Sequence, residues 1–459
     1  MEYDSQVSYA YPLMSVFRWF RPGLVPGFLC AILSHMIKET VDLGKFPAGK
    51  NTVAKETALP EGALREALNV DIDNAGNIRL REGFAKVYSG TNVRSLYKQY
   101  FAEEGMLKYL NKDHTATDVV AIDPQRRVAY CEINDRVYCT DGKSNWVLNG
   151  TQAEPLGIVE PIGVPNAQPI AGSLQAGRYL MTIAYRNIVT GETSGCPNTS
   201  PGSVPQNTGV RFFNIPQPIS ADYETVIYMS DYDGTVLFEQ GSTLFGTTEF
   251  SVASLRTDLS SCSTLYLKQM PPGQFIEYYR GKMYVADDNV VWYSKAMYYG
   301  VCRKASNFFT FPSRVTVMVA VDNGVFIVAD RTYFLSFEKT AESSMIELSH
   351  DTAVEGTAMS VAGMEFGLET ELDVAFWMGS TGAMLGIPAG VQGAPLMNLT
   401  DDRLALKDLT DTKGSSTYRE YNGIKQVVSS IEQSGVPGSL LSAQDSATLT
   451  IIRNGVEIQ

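Results

Sequence analysis

The sequence predicts an all-β fold: a β-propeller of six to seven blades, interrupted by an inserted β-sandwich. Three observations lead there. Strand-turn-strand units recur along the chain, their first strands marked by Tyr284, Phe326 and Phe376 at intervals of 42 and 50 residues. Periods of that length with several strands each are the mark of propeller blades. The composition is turn-rich and aromatic, with 39 Gly, 21 Pro, 24 Tyr and 20 Phe, which favours tight turns and pleated strands. Finally, the gap from Tyr130 to Tyr284 is 154 residues, about 100 too many for one blade.

With 459 residues the chain has room for two to four domains. It opens with a stretch containing "GLVPGFLCAIL" (23–33), which is apolar but too short to span a bilayer and is interrupted by Pro26. Glu2 and Asp4 stand where a signal peptide needs basic residues. Met36 then begins text that reads like an ordinary protein start, so residues 1–35 are expected to be a non-native or disordered leader. Residues 36–165 are assigned to an N-terminal arm and the first blades. Helical periodicity is confined to "PEGALREALN" (60–69) and "DRLALKDL" (402–409).

The stretch "DIDNAGNIRLRE" (71–82) places Asp71, Asp73, Gly76 and Glu82 at calcium-loop positions 1, 3, 6 and 12, with Ile78 at the apolar position 8. Ala75 and Arg79 spoil that reading. One removes an oxygen ligand and the other sets a positive charge beside the ion. A hairpin fits every residue instead: "NVDID", a turn over Asn74 to Asn77, and "IRLREGF" returning.

Four further hairpins follow the same logic. They turn at Asn134-Asp135 in "RRVAYCEINDRVYCTDG", at Asp287 to Asn289 in "GKMYVADDNVVWYSK", at Asp330-Arg331 in "NGVFIVADRTYFLSF", and at Gly379 to Gly382 in "DVAFWMGSTGAMLGIP". Between the first and second lies a segment of different character, residues 166–262. In "AGRYLMTIAYRN" Tyr179, Met181, Ile183 and Tyr185 alternate with Leu180, Thr182 and Ala184. A Gly-Glu-Thr-Ser turn, "VRFFNIP" and "YETVIYMSDYDGTVLFEQG" follow. Short alternating strands over about 100 residues have the size of an immunoglobulin-like sandwich. The "Y…A-Y…G-E-T-S" and "V-I-Y-M-S…D-G" text resembles fibronectin type III modules. Residues 263–459 are assigned to the remaining blades and a C-terminal strand.

The passage from Asn51 to Tyr97 resembles the N-terminal region of tail nozzle (hub, or packaged-DNA stabilisation) proteins of short-tailed bacteriophages. The matching elements are Leu59-Pro60-x-Gly62-Ala63, Glu66-Ala67-x-Asn69-Val70, Asn74-x-Gly76-x-Ile78, Arg81-x-Gly83 and Ser95-Leu96. "FIEYYRGKMYVADDNVVWYSKAMYYG" (275–300) resembles the same proteins. The resemblance implies a non-enzymatic virion structural protein, made in the host cytoplasm and placed in the tail. It further implies a homo-oligomeric ring, hexameric, that meets a portal-adaptor ring and tailspikes or tail fibres while DNA passes its lumen without specific binding. The alternative of a different class is a host-surface glycan-binding or glycan-cleaving tail component.

Charge and motif content bear on these classes. A formal charge of −13 lacks the basic footprint of a phosphate-neutralising protein, and Arg79, Arg81 and Arg94, scattered among acids, read as local ion pairs. Three widely separated histidines, His35, His114 and His350, leave no pattern for a metal site or a triad. No phosphate cradle, nucleophile elbow or zinc motif occurs, so no catalytic, cofactor-binding or metal residue is assigned and no membrane span is expected. "SDYDGT" (230–235) has the wrong spacing for a sialidase box, and "ETELD" (369–373) reads as a solvated loop. "FIEYY" (275–279), "MYY" (297–299) and "NFFTF" (307–311) are read as blade cores and subunit packing rather than carbohydrate platforms. The six cysteines, among them Cys131 and Cys139 at hairpin spacing, read as reduced thiols.

Overall fold

The computed structural model describes residues 45–67, 70–73, 75–80, 86–336, 344–388, 395–400, 403, 412–421, 424–432, 446–452 and 456–458. The expectations on residues 1–35, on Arg81 and Glu82, and on a helix over 402–409 fall outside them, apart from Arg403 itself. Among the described residues the protein is all-β, with two 3-10 turns (Glu56–Ala58 and Gly363–Phe366) and no α-helix.

Six four-stranded sheets, consecutive strands antiparallel, follow one another along the chain on either side of residues 166–252. Their first strands are Arg94–Tyr97, Ala129–Ile133, Phe275–Tyr279, Val317–Val321, Met359–Ala362 and Lys413–Tyr421, for sheets 1 to 6 respectively. The four hairpins read from the sequence turn inside sheets 2, 3, 4 and 5. Asn134 (φ 49°), Asp135 (φ 62°) and Asp288 (φ 52°) occupy the left-handed region that such tight turns demand and that Asn and Asp tolerate best.

Successive sheets pack face to face, each pair enclosing its own core. Tyr100, Ala102 and Leu107 of sheet 1 meet Val137, Cys139 and Leu148 of sheet 2. The other face of sheet 2, Cys131 and Tyr138, meets Ile276, Met283 and Val285 of sheet 3. Sheet 3 packs on sheet 4 through Tyr284 and Ile327, sheet 4 on sheet 5 through Phe326 and Trp377, and sheet 5 on sheet 6 through Phe376 and Val427. Cys131 and Cys139 therefore point to opposite faces of sheet 2 and are not partners. The register explains it, since Cys131 opposes Tyr138 while Cys139 opposes Tyr130.

Between sheets 2 and 3 stand two more sheets. One has three strands (Asn166–Leu174, Thr208–Phe213, Phe250–Val252) and the other four, in the order Ser200–Val204, Gly177–Asn187, Tyr223–Ser230, Leu237–Leu244. They share a core in which Tyr179, Met181, Ile183, Ile227 and Met229 face Leu174, Val210, Phe212 and Val252. The chain leaves and returns side by side. Gln269 donates hydrogen bonds to the carbonyls of Leu156 (3.2 Å) and Gly157 (3.1 Å), and Lys268 lies 3.7 Å from Glu160.

The N-terminal arm differs from its sequence reading in one place. Over its described residues, 60–67, "PEGALREALN" carries no helix, and Ala63–Leu64 instead pairs in parallel with Gly49–Lys50. Pro60 and the positive φ of Gly62 (74°) make a turn where a helix would have its first residues, and propensity yields to it. The hairpin is present over its described residues, Val70–Ile72 and Ile78–Leu80: Asp71 opposes Arg79 and Ile72 opposes Ile78. Asp73 Oδ1 accepts from the backbone N–H groups of Ala75 and Asn77, both at 2.9 Å, and Arg79 pairs with Oδ2 at 3.3 Å. The carboxylate that a calcium loop would aim at an ion is thus occupied by the turn. The arm then reaches sheet 6, with Asp71 at 3.5 Å from Arg419 and Thr52 N–H donating to Arg403 O at 3.0 Å.

Two outcomes follow. Chelator should leave the wild-type melting temperature unchanged, and a chelator-dependent shift abolished by Asp71→Ala with Glu82→Ala would contradict the turn assignment. Phe326 is fully buried and a Cβ on Gly386 would come 2.8 Å from its ring. Phe326→Ala should cost about 3–5 kcal/mol in urea unfolding, and Gly386→Ala should also destabilise, by overpacking.

Candidate ligand cavity on the common axis

The first strands of all six sheets converge on one cavity of about 560 Å³. Leu96, Tyr130, Glu277, Val319, Met359 and Ser416 represent sheets 1 to 6 in its wall. Each first strand turns one row of side chains toward the axis because its alternate residues are taken up by the cores between sheets. Hydrogen bonds across the seams hold the wall in place: Val128 N–H donates to Ser95 Oγ at 3.0 Å, and Thr140 Oγ1 to Gly273 O at 2.8 Å.

Three polar groups give the cavity its chemistry. Glu277, in the middle of the sheet 3 strand, is half-buried, and burial raises its pKa to about 8; the Ala320 N–H that donates to it pulls the other way. Arg127, at the entry to the sheet 2 strand, has its pKa lowered by burial, with Glu355 the nearest compensating charge. Glu355 itself is held by Arg314 at 2.9 Å. Tyr130 buries a hydroxyl that has no hydrogen-bond partner among the described residues. Beside them Lys98 pairs with Glu132, and Tyr97, stacked on Tyr130 with centroids 5.3 Å apart, has its pKa pushed up to about 12 by burial and then by Glu132. Glu277, Arg127 and Tyr130 thus line one space whose volume is that of a small-molecule pocket.

Residues singled out in the sequence are placed as follows. Arg79 makes its local ion pair, but Arg94 instead donates to the backbone carbonyls of Arg126 and Asp123 and so ties sheet 1 to the loop before sheet 2. His114 and His350 are exposed, and the described residues hold no group of three or more His, Cys, Asp or Glu that could bind a metal ion. In "FIEYY" Phe275, Ile276 and Tyr279 are core residues. Tyr299 of "MYY" packs edge-on against Tyr138 and Tyr278, and "NFFTF" supplies the outer strand of sheet 3. Of "ETELD", Asp373 reaches the cavity rim. Glu277 and Arg127 are not legible as site residues, although a carboxylate within an otherwise apolar and aromatic strand was a signal for the first. No described helix is long and apolar enough to cross a membrane.

No protein-family model and no curated protein matches the chain. Among solved structures, Saccharomyces cerevisiae Sqt1 is similar over 62% of this chain and 79% of its own, at 10% identity and a TM-score of 0.20. The AfRom2 CNH domain is similar over 62% and 88%, at 8% identity and a TM-score of 0.15. Overlaps that slight identify neither fold nor function.

Glu277 also sets a pH dependence. Its folded pKa of about 8 lies above the ordinary 4.5, so the native state holds a proton that the unfolded chain releases, and its stabilising contribution is lost as pH rises between those values. Glu277→Gln should match wild type near pH 4.5 and melt at a higher temperature than wild type at pH 9. A constant difference across the range would contradict the assignment.

Proposed function

We propose that this chain is a structural virion protein, the tail nozzle of a short-tailed bacteriophage. In this reading the six sheets are the blades of a β-propeller and residues 166–262 are a fibronectin type III-like module inserted between blades 2 and 3. The seven strands of the module, divided three and four between facing sheets, support that part. So does the convergence of six first strands on one axis.

The observation that carries the functional reading is where the resembling stretches fall. Residues 275–300 supply the first three strands of sheet 3, the sheet that follows the module. Residues 51–97 supply the arm, whose Asp71 pairs with Arg419 of sheet 6, and end on the first strand of sheet 1. The two resembling stretches thus include strands of sheets 1 and 3. In such a ring the DNA conduit runs between copies, because a cavity of about 560 Å³ is the size of a small ligand. A charge of −13 per chain suits a conduit, since each phosphate–cation contact releases counterions and would retain the DNA. Partner rings then meet it through complementary basic patches.

Electron microscopy of the purified protein tests the reading. A closed six-fold ring with an open lumen is expected, and a monomer or trimer favours the glycan-directed alternative. The assembled ring should bind duplex DNA no tighter than about 10⁻⁴ M at physiological salt, and salt-sensitive micromolar binding in a filter assay would overturn the acidic-lumen argument. Residues 164–264 expressed alone should melt cooperatively as a β domain; a disordered fragment would refute the module.

A further inference from the structure

Two thiols that lie 66 positions apart in sequence meet where the module returns to the sheets: Cys196 Sγ and Cys262 Sγ are 3.3 Å apart. Both backbones are anchored. Cys196 N–H donates to Thr264 O at 3.1 Å, and Cys262 N–H to Leu237 O at 2.8 Å, while Cys196 bridges to Leu265. The two residues differ in access, for Cys196 is 2% exposed and Cys262 is half-buried. Cys131, Cys139 and Cys302 are buried, and none of them lies in a disulfide among the described residues.

We propose that Cys196 and Cys262 form a modification site: a dithiol that low-molecular-weight disulfides oxidise to an internal disulfide, with Cys262 as the attacking sulfur and Cys196 as the resolving one. Either thiol can donate across this contact. With Cys262, the more accessible of the two, as the thiolate, the Cys196 S–H donates to it and favours it, helped by the nearby Lys295 ammonium, while the same contact, followed by burial, pushes Cys196 up. The thiolate is the nucleophile. Cys262 S⁻ attacks one sulfur of R–S–S–R, giving Cys262–S–S–R and RS⁻. Cys196 then gives up its proton and attacks the Cys262 sulfur, forming Cys196–S–S–Cys262 and expelling the second RS⁻. The dithiol loses two electrons and two protons, and one small disulfide becomes two thiols. The bond fastens the returning segment to the strand-connecting loop at Cys196, closing the neck of the inserted module.

The test uses the full-length protein and glutathione disulfide, read by intact mass and thiol count. Wild type should lose two thiols and keep no adduct. Cys196→Ser should retain a single adduct on Cys262, and Cys262→Ser should gain neither adduct nor internal bond. The oxidised wild type should melt several degrees above the reduced form, as expected for cross-linking a long loop. Cys131→Ser, away from the pair, should behave as wild type. If either serine variant fails to fold, peptide mapping of the oxidised wild type decides, because a Cys196–Cys262 linked peptide is required. Retention of all thiols by wild type, or adduct formation on Cys262→Ser as fast as on wild type, would overturn the proposal.

Discussion

Sheets 2 to 5 each have two apolar faces, and a sheet of that kind cannot be left with one side in water. The strand Gly324–Val328 is buried along its whole length. Val325 and Ile327 enter the core shared with sheet 3, while Phe326 and Val328 enter the core shared with sheet 5. Sheets 2 and 5 repeat the pattern, each contributing residues to two separate cores. A sheet so made needs a neighbour on each side, and each of those needs another. Face-to-face succession about an axis satisfies the whole series, which is the physical content of the propeller reading. The axial cavity follows from it, because first strands that converge cannot fill the space between them completely.

Much of this was legible because turns are written in local chemistry. Asn134-Asp135 and Asp288 specify positive φ whatever surrounds them, and the aromatic strands beside them name their own type. The hairpin at 70–80 was legible for the same reason, since Asp73 and Asn77 build the turn from their own side chains. Pairings set by distant parts of the chain were not. Residues 63–64 find a parallel partner at 49–50, and no local signal announces that. Cys196 and Cys262 are brought together by the return of the module, so their spacing carries no motif. Arg127 and Glu277 become a site only when six strands meet.

Residues 166–252 and the six sheets divide the chain into parts with separate cores. The segment has a core of its own, and the residues flanking it, Glu160, Lys268 and Gln269, meet one another through polar contacts. The sheet edges and the net negative charge are what assembly would use in the nozzle proposal. In the nozzle reading a subunit rigid through packed sheets supplies one segment of a wall, and net negative charge keeps the passing polymer mobile.

The nozzle proposal is tested most directly by a cryo-electron reconstruction of the phage particle it calls for. The account predicts the six-sheet body and its attached module in a ring around the tail axis below the portal, with duplex density passing between copies. Density for this chain only at the particle periphery, or an axis running through a single copy, would contradict it.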